Sequence, residues 1–351
     1  MRHYQLKIVQ DLVTLTPMRE DYISLAHGNG GRFMRELIDE LFARHLRNPL
    51  LDVRVDAATL QLEAGPALFT TDGFTVQPLE FPGGDIGSLA VHGTTNDIAV
   101  AGGLPRYLTL NAFIEEGLEI AQLDRIIASL AAAAAELDVQ VIAGDTKVVP
   151  RGEGSGLYLA TTGIGIDLAP GKLGLDKIQA GDVLLVSGPV GDHGIAVMLA
   201  REQFGLRGDV RSDAASVLPL TRALIDNPGL RFMRDPTRGG LATVAHELRY
   251  VTGLGIRLDQ ARIPVRDAVQ SVCDMLGYDP LFLACEGRVV AVVSPDQAAN
   301  ALAVWHSLPA GEQAARVGTV VGDTPHVILR TELGGERILE ELEDDPLPRI
   351  C

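Results

Sequence analysis

The chain has 351 residues, 46% of them hydrophobic, with 46 acidic against 30 basic side chains and a formal net charge of −16. That length and apolar content suit about two domains with their own cores, and the negative balance repels nucleic acid backbones and anionic membrane surfaces. Three cysteines without CxxC spacing speak against a disulfide framework or a zinc site and for a reducing cytoplasm, and no run of about 18 apolar residues offers a membrane span.

In chain order, residues 1–22 read as a leader. Arg2, Lys7, Asp11, Arg19, Glu20 and Asp21 interrupt any signal-peptide apolar region. A first domain is expected over 23–167. It opens on His27-Gly28-Asn29-Gly30-Gly31, followed by Phe33, Met34, Leu37, Ile38, Leu41 and Phe42 at helical spacing. A glycine-rich loop entering a helix offers amides to an anion, or else is a plain turn. Strands are expected over 53–60 and 67–71, delivering Asp56 and Asp72. Asp72 lies in Thr71-Asp72-Gly73, where an aspartate also serves as a turn former. Asp85 is placed as the N-cap of a buried helix of small residues that carries Asn96 and Asp97. Polar groups there need partners, and a metal ion is one. A strand over 106–114, a helix over 123–137 and a strand over 139–143 follow. The last runs into Gly144-Asp145-Thr146-Lys147, a charge pair at a sheet edge.

A linker over 168–181 leads to a second domain over 177–333, which opens on a buried strand at 183–187. A helix is expected from Asp192-His193 to Phe204, with His193 read as part of a cap pair, and a second helix over 212–225. Asp235 precedes Pro236 and so is extended ahead of a helix over 241–251. Glu286 follows an apolar run ending at Cys285. Residues 336–343 read as a short acidic helix, leading a tail over 336–351 that ends in Pro346-Leu347-Pro348-Arg349-Ile350-Cys351. The two prolines stiffen it into a probe. From residue 336 it has a reach of roughly 50 Å at about 3.3 Å per residue. Cys273 and Cys285 are expected to be inert packing thiols.

No Walker A, protein-kinase or GxGxxG motif is present. Asp56, Asp72, Asp97, Asp145 and Asp235 instead form an ordered acidic set. Several carboxylates share one pocket only if cations neutralise them, and oxygen-only ligands select Mg²⁺ that bridges phosphates. This is the pattern of metal-assisted phosphoryl transfer.

The ordered motifs His27-Gly28-Asn29-Gly30-Gly31, Thr71-Asp72-Gly73, Asn96-Asp97-Ile98-Ala99, Gly144-Asp145-Thr146-Lys147, Asp235-Pro236-Thr237-Arg238-Gly239-Gly240, Cys285-Glu286-Gly287 and Pro348-Arg349-Ile350-Cys351 resemble the HypE family. These are the carbamoyl dehydratases of nickel–iron hydrogenase maturation, within the aminoimidazole-ribonucleotide-synthetase-like ATP superfamily. The resemblance spans residues 23–351; the leader departs from it.

The resemblance implies an α/β (α+β) protein of two domains with a PurM-like fold. The N-terminal sheet would form a β-barrel in a homodimer, followed by a C-terminal α/β sandwich and a flexible tail. It implies ATP and Mg²⁺ as cofactors. A carbamoyltransferase, HypF, would load Cys351, and a HypC–HypD complex would take the cyanide. ATP-dependent dehydration of the S-carbamoyl group would yield S-cyanate. In this reading Cys351, Glu286 and Lys147 are catalytic: the carrier thiol, the base and the positioning cation. Asp72, Asp97, Asp145 and Asp235 hold metal. His27, Gly28, Asn29, Gly30, Gly31, Asp56, Asn96 and Thr146 contact the nucleotide. Two rivals stand beside it: a small-molecule kinase of the same superfamily, which leaves the cysteine tail unexplained, and a non-enzymatic tail-docking maturation chaperone, which leaves the acids unexplained.

Overall fold

The computed structural model describes residues 20–55, 57–61, 65–201 and 209–342. Helix α1 (Arg32–Leu37) continues through a π-helical turn at Ile38–Phe42 into α2 (Ala43–His45), burying Leu37, Leu41 and Phe42. The strand expected over 53–60 is absent among the described residues, which form turns and irregular chain there. Asn48 explains part of this. Its Oδ1 accepts the amides of Leu50 and Leu51, bending the chain away from any sheet, and Val53 and Val55 are left exposed.

Strand β1 (Ala67–Phe74) leads to the ribbon β2 (Glu80–Phe81) and β3 (Gly84–Asp85), then to α3 (Ile86–Val100). Asp85 caps α3 as expected: its Oδ1 accepts from the amides of Gly87 at 2.7 Å and Ser88 at 3.1 Å. Strand β4 (Gly103–Glu115), helix α4 (Ile120–Glu136), β5 (Gln140–Val149) and β6 (Leu157–Asp167) complete this half. The four long strands lie in the order β1-β6-β4-β5. The β4–β5 pair is parallel, with α4 as its crossover, and the others are antiparallel. Helix α3 packs on one face. On the other face Phe69 is 70% exposed and Phe113 42%.

The second half carries β7 (Val183–Val186), α5 (Asp192–Ala200), α6 (Leu218–Leu224), β8 (Leu230–Arg234), α7 (Gly240–Thr252), β9 (Gly255–Asp259), α8 (Asp267–Leu276), β10 (Val290–Val293), α9 (Ala298–His306), β11 (Ala315–Val321), β12 (Val327–Arg330) and β13 (Glu336–Ile338). Its seven strands run β13-β12-β9-β11-β7-β10-β8, and only the β9–β12 pair is parallel. Two expectations are corrected here. The helix expected over 212–225 begins only at Leu218, because residues 209–217 form an irregular strap held by other segments: Ser212 N–H donates to Pro82 O, and Val217 N–H to Asn96 Oδ1. The acidic helix expected over 336–343 is instead strand β13 where described. Ile338 pairs with Ile328, Glu336 meets Arg257 at 3.3 Å, and Leu339 is fully buried. An available edge on β12 wins over a weak local helix preference.

The two halves share apolar cores. Ala99 and Val100 of α3 lie in one cluster with Leu220, Leu224 and Trp305, while Ile195 and Val197 of α5 belong to the cluster of the first half. Among the described residues no helix is long and apolar enough to cross a membrane.

Candidate active site at the junction of the two sheets

Strand and helix periodicity bring the first two acids together. Thr70 and Asp72 alternate onto the face of β1 that α3 covers. On α3, Gly93 and Asp97 lie one turn apart on the side facing β1. The Thr70 hydroxyl donates to Asp97 Oδ2 at 2.8 Å. A Cβ on Gly93 would sit 2.7 Å from the Phe74 ring and 3.6 Å from Asp72 Oδ2, so glycine is what lets the helix approach the acid. Asp72 therefore lies inside a strand rather than at its end, and its Oδ1 accepts the Gly73 amide at 2.8 Å.

The second half contributes Asp235, just after β8, and Glu286, ahead of β10; they are 7% and 4% exposed. Asp235 lies in the irregular segment between β8 and α7, and Gly239 takes a left-handed conformation (φ +70°) to start α7. The acids act on one another. Burial, then Asp97 and Asp72, pushes Asp235 up to about 7. Burial and Asp97 raise Asp72 against the pull of the Gly73 amide and Arg238. Glu286 is driven well above the ordinary glutamate value by burial first, then by Asp235, Asp213, Asp72 and Asp97. Arg238 approaches Asp72, with Nη2 at 4.0 Å from Oδ1, and is largely exposed.

An acid cluster so poorly neutralised fits a hard cation. Among the described residues no three metal-ligating side chains are close enough to make a complete shell. That suits Mg²⁺, which takes one or two carboxylates and completes its octahedron with water and phosphate. Beside the acids lies a cleft of about 480 Å³ walled by Leu68, Phe69, Thr70, Asp97, Phe232 and Arg234.

Asn96, one residue before Asp97, is 2% exposed. Its Nδ2 donates to Ala215 O at 3.0 Å and Glu286 O at 3.2 Å, and its Oδ1 accepts from Val217 N–H at 2.9 Å. The amide that the sequence offered as a nucleotide contact is engaged in tying α3 to the second half.

Asp145 and Lys147 stand apart from this cluster. They form the expected edge pair, 3.1 Å between Nζ and Oδ2, on strand β5. In the register Gly73–Ala160–Asn111–Asp145 they are three strands from β1, about 14 Å at about 4.8 Å per strand. The glycine-rich segment lies on their side. Gly28 packs where a Cβ would be 2.8 Å from Val148. His27 is buried and its Nδ1 accepts the Ser24 amide at 3.1 Å, so it shapes the turn. Asn29 Oδ1 takes the Gly31 amide at 3.0 Å, and Gly30 has φ +79°. Next to them a cavity of about 150 Å³ is lined by Met34, Phe42, Leu46, Val141, Asp145 and Thr146. Asp56 and Cys351 lie outside the described residues. Thr70 and Asp213 are not among the residues that the sequence singles out. Thr70 is marked only by standing two residues before Asp72, and Asp213 fell within an expected helix.

Two family models cover most of the chain: AIR synthase related protein, N-terminal domain, over residues 54–166, and AIR synthase related protein, C-terminal domain, over 179–330. The chain is similar to carbamoyl dehydratase HypE of Azotobacter vinelandii, with 44% identity over 337 residues, 95% of this chain and 98% of that protein. Among solved structures it is similar to a hydrogenase maturation protein HypE in complex with ATP, at 42% identity and TM-score 0.88, covering 93% of this chain and 99% of the other. It is also similar to the matching chain of a HypE–HypF complex, at 40% identity and TM-score 0.76, covering 87% and 99%.

Proposed function

The chain belongs to the HypE carbamoyl dehydratase family of AIR synthase related proteins, and on that premise we propose that it uses ATP to dehydrate an S-carbamoyl group on its own Cys351 to S-cyanate. The observation that carries this reading is the convergence of Asp72, Asp97, Asp235 and Glu286 where the two sheets meet. A carboxamide oxygen is a poor leaving group. Transfer of the γ-phosphoryl group of ATP to that oxygen, with loss of one N–H proton, turns it into a phosphate ester. Departure of phosphate with loss of the second N–H proton then forms the C≡N bond, leaving ADP and phosphate.

Asp72, Asp97 and Asp235 would hold Mg²⁺ through one or two carboxylates per ion, and the metal would supply the positive charge that the triphosphate and the acids both need. Glu286 takes the nitrogen proton; its buried, acid-flanked carboxyl binds protons far more strongly than an exposed glutamate. The cavity beside Asp145 and Thr146, which joins apolar side chains such as Met34, Phe42 and Leu46 to polar groups, suits a nucleobase, with the glycine-rich segment 27–31 at its side. Asp145 and Lys147 enter the site across a homodimer, since their edge strand holds them away from the acids of their own chain. The open face bearing Phe69 and Phe113 is the dimer surface.

HypF, by analogy with the HypE–HypF complex, loads Cys351, and a HypC–HypD complex takes the cyanide, in the cytoplasm. The test is ATP turnover by chain carrying carbamoyl on Cys351 against unmodified chain. Turnover confined to the modified form supports the reading, and equal turnover by both rejects it.

A further inference from the structure

We propose that Asp213, on the strap between the two sheets, is a positioning residue that fixes the backbone carrying Glu286 so that its carboxyl faces the acid cluster. This rests on the reading of Glu286 as the proton acceptor.

The Asp213 side chain is 1% exposed. Its Oδ1 accepts the Glu286 amide at 3.2 Å and its Oδ2 the Gly287 amide at 3.3 Å. Two consecutive peptide N–H groups held by one carboxylate fix the peptide planes on both sides of the Glu286 Cα. The other end of the residue is held as well: Asn96 Nδ2 donates to Glu286 O at 3.2 Å, and the Ala215 amide to the same oxygen at 3.5 Å. The strap lies so close that a Cβ on Gly287 would be 1.9 Å from Asp213 O, so residue 287 accepts glycine only.

A buried carboxylate is costly, and apolar packing anchors a strap more cheaply. Here the charge is kept although Arg288 is shared: its Nε lies 3.4 Å from Asp213 and its Nη2 3.4 Å from Asp192, which also pairs with Arg266 at 2.8 Å. What the carboxylate provides that an apolar side chain lacks is two acceptors aimed at the backbone of Glu286. Its neighbour Ser212 donates its amide to Pro82 O and holds His193 Nδ1 at 2.8 Å, so the cradle is referenced to both halves of the molecule. Misplacement of a reacting group by about 1 Å costs on the order of 100-fold in rate.

The test is a double-mutant cycle in full-length chain carbamoylated on Cys351, following single-turnover formation of S-cyanate and half-saturation by ATP. Asp213→Ala should lower the rate on the order of 100-fold with ATP half-saturation nearly unchanged. Asp213→Asn, which keeps one acceptor and guards against a folding failure of the alanine variant, should fall between. On a Glu286→Gln background, Asp213→Ala should add little further loss, because it acts through the group already removed. Losses that multiply on that background, or a wild-type rate in Asp213→Asn, would overturn the proposal while leaving Glu286 in its role. A wild-type rate in Glu286→Gln would overturn the role of Glu286 and the proposal together.

Discussion

Asn96 donates its side-chain amide to the carbonyl of Glu286 at 3.2 Å, joining the helix that carries Asp97 to the loop that carries Glu286. The same side chain also meets Ala215 and Val217. Asn96→Ala takes this partner from the Ala215 carbonyl and the Val217 amide in a buried junction, and leaves the Glu286 carbonyl only the Ala215 amide at 3.5 Å. The expected cost is about 2–4 kcal/mol of folding stability, read as a lower denaturation midpoint. An unchanged midpoint would mean that the junction is held elsewhere.

Asp97→Asn and Asp235→Asn should each abolish Mg²⁺-dependent ATP binding while leaving the fold intact. Each variant keeps the size of the side chain and removes a charge that a divalent cation needs. Calorimetry giving wild-type affinity in both variants would remove these two acids from the metal set.

The raised acids also make a pH prediction for metal-free protein. Asp235 sits at about 7 against an ordinary 3.8, through burial first and Asp97 next. Between those values the folded chain keeps a proton that the unfolded chain has released. The contribution of Asp235 to stability is therefore most favourable at the acid end and is lost as pH rises from about 4 to about 7. In the metal-free state Asp235→Asn should be more stable than wild type above pH 7 and lose that advantage towards pH 4. Parallel melting curves across this range would contradict the shift.

Phe69 stands 70% exposed on the open face of the first sheet. Phe69→Glu places a charge on the proposed dimer surface and should convert a dimer into a 37.4 kDa monomer by light scattering. A wild-type chain already monomeric at micromolar concentration would rule that surface out.

Much of the fold was legible because its signals are local. The Asp85 cap stands immediately before a run of small residues, and the apolar strand at 139–143 runs into Asp145 and Lys147 at a true sheet edge. Asp72, Asp97, Asp235 and Glu286 were each named from the sequence, but not the reasons they meet: Asp72 and Asp97 through the strand and helix faces around Gly93, and the Glu286 loop through its bond to Asn96. Residues 212–217 of the strap were read as helix because their partners, Pro82, Asn96 and Glu286, are distant in sequence and leave no periodic trace. Strand β13 was missed for the same reason: Glu336 and Ile338 pair with β12, which no local pattern reveals.

The thiol chemistry is tested most directly by mass spectrometry of the tail peptide after full-length chain is carbamoylated and given ATP and Mg²⁺, with Cys351→Ser, Cys273→Ala and Cys285→Ala alongside. Cys273 and Cys285 are buried, and burial first pushes the Cys273 thiol up to about 12 and the Cys285 thiol well above its ordinary value, so neither is a ready nucleophile. The expected result is a cyano group on Cys351 in wild type and in both alanine variants, and none in Cys351→Ser although it still binds ATP. A cyano group on Cys285, or its formation in Cys351→Ser, would contradict Cys351 as the site of the reaction.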